Sequence, residues 1–406
     1  MSPNKKNKEK KQEPASASSM SVREVSISHT ILTGIFSIDG TYPLSCVLAE
    51  YLDLKAIRSL DTAVCNIFLR PLYLDAVRHL TMTTIVIDSI EFTRWIVLRG
   101  IKTKELTSCN CIKKRTIGKS LVMMAEASYG FYKSIRKLNF INEKVDYAII
   151  MSVFLKCENL EHLSFYADDF SLDYFKLVIP VFKKHKYLNM NGLNRKNQNF
   201  DSSFVKFLSS NCTGLNTLIL NNHMPGLLDD SALLSITNGL TSLTCFFIHN
   251  FCPHRFYLFS EAALTCLKGL KMLQKLHLES IPNLTTPLLM KICHGCDKIV
   301  KLGLWHMPGL TNLSFESLGR LVSLDLGNVP ATDATIQSIA THCSKLEYLG
   351  LVGATEITDI AIDYLTNGVC QSLKILDLRG CTRVTALPQK INAISIKPVM
   401  KIVVEG

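Results

Sequence analysis

The chain has 406 residues, 47% of them apolar in type, and a formal charge of +11, part of which sits in the opening "KKNKEKK". That length supports two or three ordinary domains or one extended repeat array, and that apolar share can fill a core, so a wholly disordered chain is excluded. No apolar run approaches the ~20 residues that cross a bilayer, "YAIIMSVFL" (147–155) being far too short, and the mild charge of the body does not call for a nucleic-acid partner.

Residues 1–22, opening "MSPNKKNKEKKQEPASASSM", are Lys, Pro and Ser rich and offer almost nothing to bury, which predicts a disordered basic tail. Its lysine cluster reads as a solvated end, a nuclear import signal or a nucleic-acid contact. The start shows no charged-then-apolar leader and the fourteen cysteines are scattered, so reduced thiols in the cytosol or nucleus are expected.

Residues 42–70 read "YPLSCVLAEYLDLKAIRSLDTAVCNIFLR". Val47, Leu48, Tyr51 and Leu52 share a helical face, Asp53 breaks the pattern, and Ile57, Leu60 and Val64 resume it. The stretch resembles an F-box, which starts at a Pro, passes a Tyr-Leu-x-Leu-like turn ("YLDLK") and ends near a Val-Cys pair ("AVCN"). It departs in having Tyr-Pro for Leu-Pro, Ser45 for the usual acidic residue, and Asn66-Ile67 for the basic-aromatic ending. Over 41–70 the resemblance implies a grip on a Skp-type adaptor, and through it a cullin, by Pro43, Leu44, Val47, Leu48, Tyr51, Leu52, Ile57 and Leu60. The same apolar face also suits a helical cap on the first repeat, and both readings stand at this point.

Residues 71–133 read either as degenerate first repeats or as helices joining two parts. Their basic run, Lys102, Lys104, Lys113, Lys114, Arg115 and Lys119, is expected to be a solvated face. "GKS" (118–120) lacks the glycine that a phosphate loop needs five positions earlier, where Lys113 stands.

From residue 134 a register repeats. C-x-x-L/I-x-x-L-x-L occurs at Cys157, Cys212, Cys296, Cys343 and Cys370, the first ending in Phe165. Without the cysteine, ten segments align on Leu138, Leu163, Leu188, Leu218, Phe246, Leu276, Leu302, Leu324, Leu349 and Leu376, at steps of 22 to 30 residues. Such self-similarity predicts an α/β solenoid of about ten strand-helix units over 134–406, each sharing a core with its neighbours. "MKIVVEG" at the end is a candidate capping strand. The units, clearest in "HCSKLEYLGLVGATEITD", resemble the cysteine-containing class of leucine-rich repeats found in substrate receptors of cullin-RING ubiquitin ligases.

Within each unit a capping-type residue precedes apolar residues at +3 and +6, which predicts helices starting after Asp201, Asp230, Ser260, Thr286, Asp333 and Asp359, with Pro287 in the first turn. The cysteine closes each helix as a small buried hydrophobe. The step of 22 between Leu302 and Leu324 leaves no room for a full helix, so "NLSFESL" is expected to form a turn. "CHGC" (293–296) has zinc spacing without a second pair, and the register accounts for both thiols, so no metal, and no other cofactor, is expected. No nucleophile-base arrangement emerges, and an enzyme is not expected.

Solenoids bind through the strand residues that alternate with the leucines. On three adjacent predicted strands these are Phe247, His249, Lys275, His277, Glu279, Lys301 and Trp305, an aromatic and ionisable group suited to an unknown protein target, with glycines beyond it leaving room for the partner. Together the two resemblances imply a substrate-recognition subunit of an F-box-type ligase. The alternative is a repeat scaffold with no ligase link.

Overall fold

The computed structural model describes residues 53–63, 69–78, 81–87, 89–108, 123, 129–140, 153, 155–166, 176, 186–191, 201–221, 228–249, 259–368, 370, 372–385 and 401–403. The chain divides into two compact units, Met1–Leu80 and Thr81–Gly406.

Among the described residues of the first unit the helices are α1 (Leu54–Ala63) and α2 (Leu69–Arg78). Asp53, the break in the apolar pattern, starts α1 by accepting the Ala56 N–H at 2.7 Å. Ile57 is fully buried and its carbonyl accepts the Tyr73 hydroxyl at 2.8 Å, while the buried Asp61 carboxylate meets Arg70 at 3.1 Å. Ile57, one of the residues that the F-box resemblance assigns to the adaptor, is thus covered within the chain itself. Leu60, one turn on, is only partly covered. Pro43, Leu44, Val47, Leu48, Tyr51 and Leu52 lie outside the described residues.

The second unit is built on one open, wholly parallel sheet of thirteen described strands, hydrogen-bonded in chain order: an α/β leucine-rich-repeat solenoid. They are β1 (Thr81–Ile87), β2 (Lys102–Ser108), β3 (Lys137–Phe140), β4 (His162–Tyr166), β5 (Tyr187–Asn191), β6 (Thr217–Asn221), β7 (Cys245–His249), β8 (Lys275–Glu279), β9 (Lys301–Trp305), β10 (Ser323–Asp325), β11 (Tyr348–Gly350), β12 (Ile375–Asp377) and β13 (Lys401–Val403). The ten central residues of the sequence register pair with one another without a slip, from Leu138 opposite Leu163 to Leu349 opposite Leu376, and each is buried. Holding one register puts every leucine on the core side, since a slip by one would turn them all outward.

The sheet begins earlier than residue 134. Ile85 pairs with Leu106 and Leu106 with Leu138, so β1 and β2 extend the same ladder and residues 81–108 are repeats. Between them runs a helix, Ile90–Arg99, capped by Ser89 and closed by Gly100 at φ 66°. At the other end Leu376 pairs with Ile402, so "MKIVVEG" does supply a closing strand.

Helix starts fall one residue earlier than expected at four units. Asp229, Thr285, Thr332 and Thr358 are the caps, ahead of helices Asp230–Gly239, Thr286–Gly295, Asp333–His342 and Asp359–Asn367, whereas Asp201 and Ser260 cap as anticipated. The displaced aspartates sit at the first helical position and reach to the next unit. Asp230 accepts the Ser260 N–H at 2.8 Å; Asp333 accepts the Thr358 N–H and hydroxyl, both at 2.7 Å; Asp359 accepts the same pair from Thr385, both at 2.9 Å. A carboxylate there complements the positive helix end and ties neighbouring repeats together.

The five registered cysteines are buried. The C-x-x-L spacing is a turn: each cysteine carbonyl accepts the N–H three residues on, at 3.0 to 3.3 Å, in all five units. The thiols do more than fill space. Cys296 Sγ–H donates to the Leu267 carbonyl at 3.2 Å, Cys370 to the Ile339 and Cys343 carbonyls at 3.4 and 3.3 Å, and Cys381, at a later turn, to Leu351 at 3.0 Å. The acceptors belong to the preceding unit, so each of these thiols ties its turn to the repeat before it as a second donor to a carbonyl that already accepts a backbone N–H. Burial holds the Cys212 and Cys343 thiols up to about 12, and Cys296 to about 11. Cys293, the other thiol of "CHGC", is buried on the face of its own helix and likewise pushed to about 12.

The short unit has no helix between β9 and β10. Phe315 and Leu318 fill the core from a turn, and Arg320 lays its guanidinium across the end of the preceding helix, donating to the carbonyls of Ile299 (3.1 Å), Cys293 (3.1 Å) and Cys296 (3.4 Å).

Candidate functional site

On strands β7 to β9 the side chains between the leucines leave the core face. Lys275 and Lys301 are exposed and face each other across β8 and β9; like charges so paired repel and stay in water. Phe247, His249, His277 and Trp305 are half-buried and Glu279 is buried, at 8% exposure. Four of the seven form one cluster. The rings of His249 and His277 lie 4.4 Å apart, Phe247 sits 5.7 and 5.6 Å from them, and His249 Nδ1 is 3.6 Å from Glu279 Oε2.

Trp305 lies beside this cluster through the pairing of Glu279 with Trp305. The glycines flanking it do not leave room for a partner, as the sequence suggested; the chain's own side chains fill that room. His277 lies over Gly303, the Trp305 indole over Gly327, and the Asp325 carboxylate over Gly350, so a Cβ at Gly327 would come within 2.6 Å of the indole. Each large side chain leans onto the next strand, and the glycine is what lets it lie flat.

This lean has an electrostatic consequence for His277. Burial, then His249, lower its pKa from 6.5 to about 4, Glu279 opposing weakly. The folded chain thus keeps a neutral imidazole while the unfolded chain takes up a proton below about pH 6.5. Stability is therefore unaffected above that value and falls as pH drops from 6.5 toward 4, by about 3 kcal/mol at ~1.4 kcal/mol per pKa unit. Urea unfolding of wild type and His277→Gln at pH 7 and pH 4.5 measures this: the gap between them should narrow or reverse at the lower pH, and a constant gap contradicts it.

A second group on the same face was not singled out from sequence. Arg379 forks the Asp377 carboxylate, Nε to Oδ1 at 2.9 Å and Nη2 to Oδ2 at 2.7 Å, which lowers the Asp377 pKa. Asp325 is pushed the other way by burial, while the Trp305 indole N–H beside it favours the charged form without closing a full hydrogen bond. Tyr348 is raised to about 12, by burial and then by Asp325 and Asp377. The alternation placed Asp325, Asp377 and Arg379 on this face; sideways contact between strands is not written in any local pattern.

Fold and face together define a leucine-rich-repeat solenoid whose open sheet face carries a compact aromatic and ionisable patch. Among solved structures, a chain of the yeast Rad7 and Elc1 complex is similar to it over 96% of this chain and 86% of its own length, with a TM-score of 0.53. The two share 15% identity, so the likeness is one of fold. No protein-family model matches the chain.

Proposed function

We propose that the chain is the non-catalytic substrate-recognition subunit of a cullin-RING ubiquitin ligase of the F-box type, acting in the cytosol or nucleus. Its N-terminal unit grips a Skp-type adaptor and its solenoid presents a protein target. The observation that carries this reading is the joining of a separate helical N-terminal unit, led by the F-box-like segment, to a cysteine-register repeat solenoid. The fold neighbour supports it: that chain was crystallised in a complex with a second protein. Function rests here on analogy of fold and segment, and the target face on the patch of β7 to β9.

The test is co-purification of the full chain with a Skp-type adaptor and cullin, with and without Leu48→Asp plus Leu52→Asp. The reading expects stoichiometric recovery from wild type, loss from the double variant, and a melting temperature changed by no more than a few degrees. Wild type that ignores the adaptor at micromolar concentration would leave a repeat scaffold. A variant that melts far lower would make the segment a cap.

A further inference from the structure

Strands β7 and β8 bring together three side chains of the face that alternation outlined: His249, His277 and Glu279. One ligating atom from each lies within 4.8 Å of the others, and the His249 Nδ1 to Glu279 Oε2 distance is 3.6 Å. We propose that this trio is a binding site for a divalent transition-metal ion, Zn²⁺ foremost, on the open face of the sheet. The inference is independent of the ligase reading.

The donor set selects the ion. Two imidazoles and one carboxylate suit a borderline cation such as Zn²⁺, whereas Ca²⁺ and Mg²⁺ take oxygen ligands. In a tetrahedral site with bonds of ~2.0–2.1 Å the ligand atoms lie about 3.4 Å apart. The His249 and Glu279 pair is already near that spacing, and small rotations of the two rings close the rest. The surroundings hold the ligands in place: Phe247 packs against both imidazoles, Glu279 is buried, and Gly303 keeps clear the space that His277 occupies. Lys275 and Lys301, exposed on the same face, oppose the ion and weaken its binding.

Three protein ligands leave the fourth tetrahedral position open toward the side on which a partner would lie. The ion would then hold a water there or accept a histidine, cysteine or carboxylate from the bound partner, joining the two chains by a coordinate bond.

The experiment uses the full chain, stripped with chelator and titrated with Co²⁺ and with Zn²⁺. Visible absorption of bound Co²⁺ reports its geometry, calorimetry gives affinity and stoichiometry, and X-ray absorption of the Zn²⁺-loaded wild type identifies the ligands. Expected are one equivalent bound, a tetrahedral cobalt spectrum without thiolate charge transfer, and imidazole scattering. His249→Gln and Glu279→Gln should each lower affinity by more than the ~10–100-fold that loss of an outer partner costs. Equal binding by wild type and both variants, absence of a stoichiometric site, or sulfur in the zinc shell overturns the proposal. Should either variant fail to fold, the wild-type absorption spectrum alone decides, since sulfur ligands there would place the metal at cysteines.

Discussion

Cys343→Asp should cost about 4 kcal/mol or more and leave much of the chain unfolded at ordinary temperature. Cys343 is fully buried at the end of helix Asp333–His342, its N–H closing onto the Ile339 carbonyl and its own carbonyl accepting from Leu346 and from the Cys370 thiol. Burial already disfavours charge here strongly enough to hold the thiol near 12. A carboxylate in the same place is a desolvated charge beside carbonyl oxygens, which repel it, so it must either stay protonated at a cost or open the turn. Cys343→Ala, by contrast, removes one sulfur and a long contact to the Leu318 carbonyl at 3.8 Å, and should cost only about 1–2 kcal/mol. Urea unfolding of the two variants reads the difference. Wild-type Cys212, Cys343 and Cys370 should also resist native-state thiol labelling; rapid modification of all three would contradict their place in the core.

Arg320→Ala should cost about 3 kcal/mol, far more than a partly exposed arginine on a repeat surface usually does. Its guanidinium serves the carbonyls of Cys293, Cys296 and Ile299, and truncation removes these charge-assisted bonds at a helix end where the short unit supplies no helix, leaving the Cys296 carbonyl only the Ile299 N–H. Arg320→Lys should recover only part of the loss, because a single ammonium cannot span three acceptors held by a planar fork. Chemical denaturation gives the totals, and hydrogen exchange at residues 296–300 gives the place. An alanine variant as stable as wild type would mean that water serves these carbonyls equally well.

The repeat register was legible because the core imposes it: every central apolar position from Leu138 to Leu376 became a strand centre in the expected register. The missing helix before Leu324 was legible from length alone. What escaped has physical reasons. Strands β1 and β2, "TMTTIVI" and "KTKELTS", carry few leucines, and their membership follows from neighbours rather than from local pattern. The caps were misplaced by one because each of these units offers two capping residues in a row, Asp-Asp at 229–230, Thr-Thr at 285–286 and Thr-Asp at 332–333 and 358–359; in three of them the second, an aspartate, reaches across to the next unit. Of the face residues, the seven named from sequence fall where alternation puts them. The stacking of His277 on Gly303 and Trp305 on Gly327 is decided by the lateral lean of side chains between strands. Ile57 shares its apolar stripe with Leu60, and the stripe alone does not tell that Ile57 is fully buried within the folded unit while Leu60 is only partly covered.

The helix-free unit between β9 and β10 has a consequence for how the array comes apart. In a linear chain of repeats, stability is close to a sum of units and nearest-neighbour couplings, and the weakest coupling sets where the chain divides. Helices Thr286–Gly295 and Asp333–His342 flank a unit that offers only a turn between them, so the helical layer is interrupted there while the sheet runs on. That junction is a natural fault line, spanned on the helix side by the Arg320 guanidinium and by single hydrogen bonds from Thr286 to the Thr311 carbonyl and from the Phe315 N–H to the Ser338 hydroxyl. The repeats after it, from β10 onward, form a block that can open and close as a cooperative element of its own while the array before it stays folded.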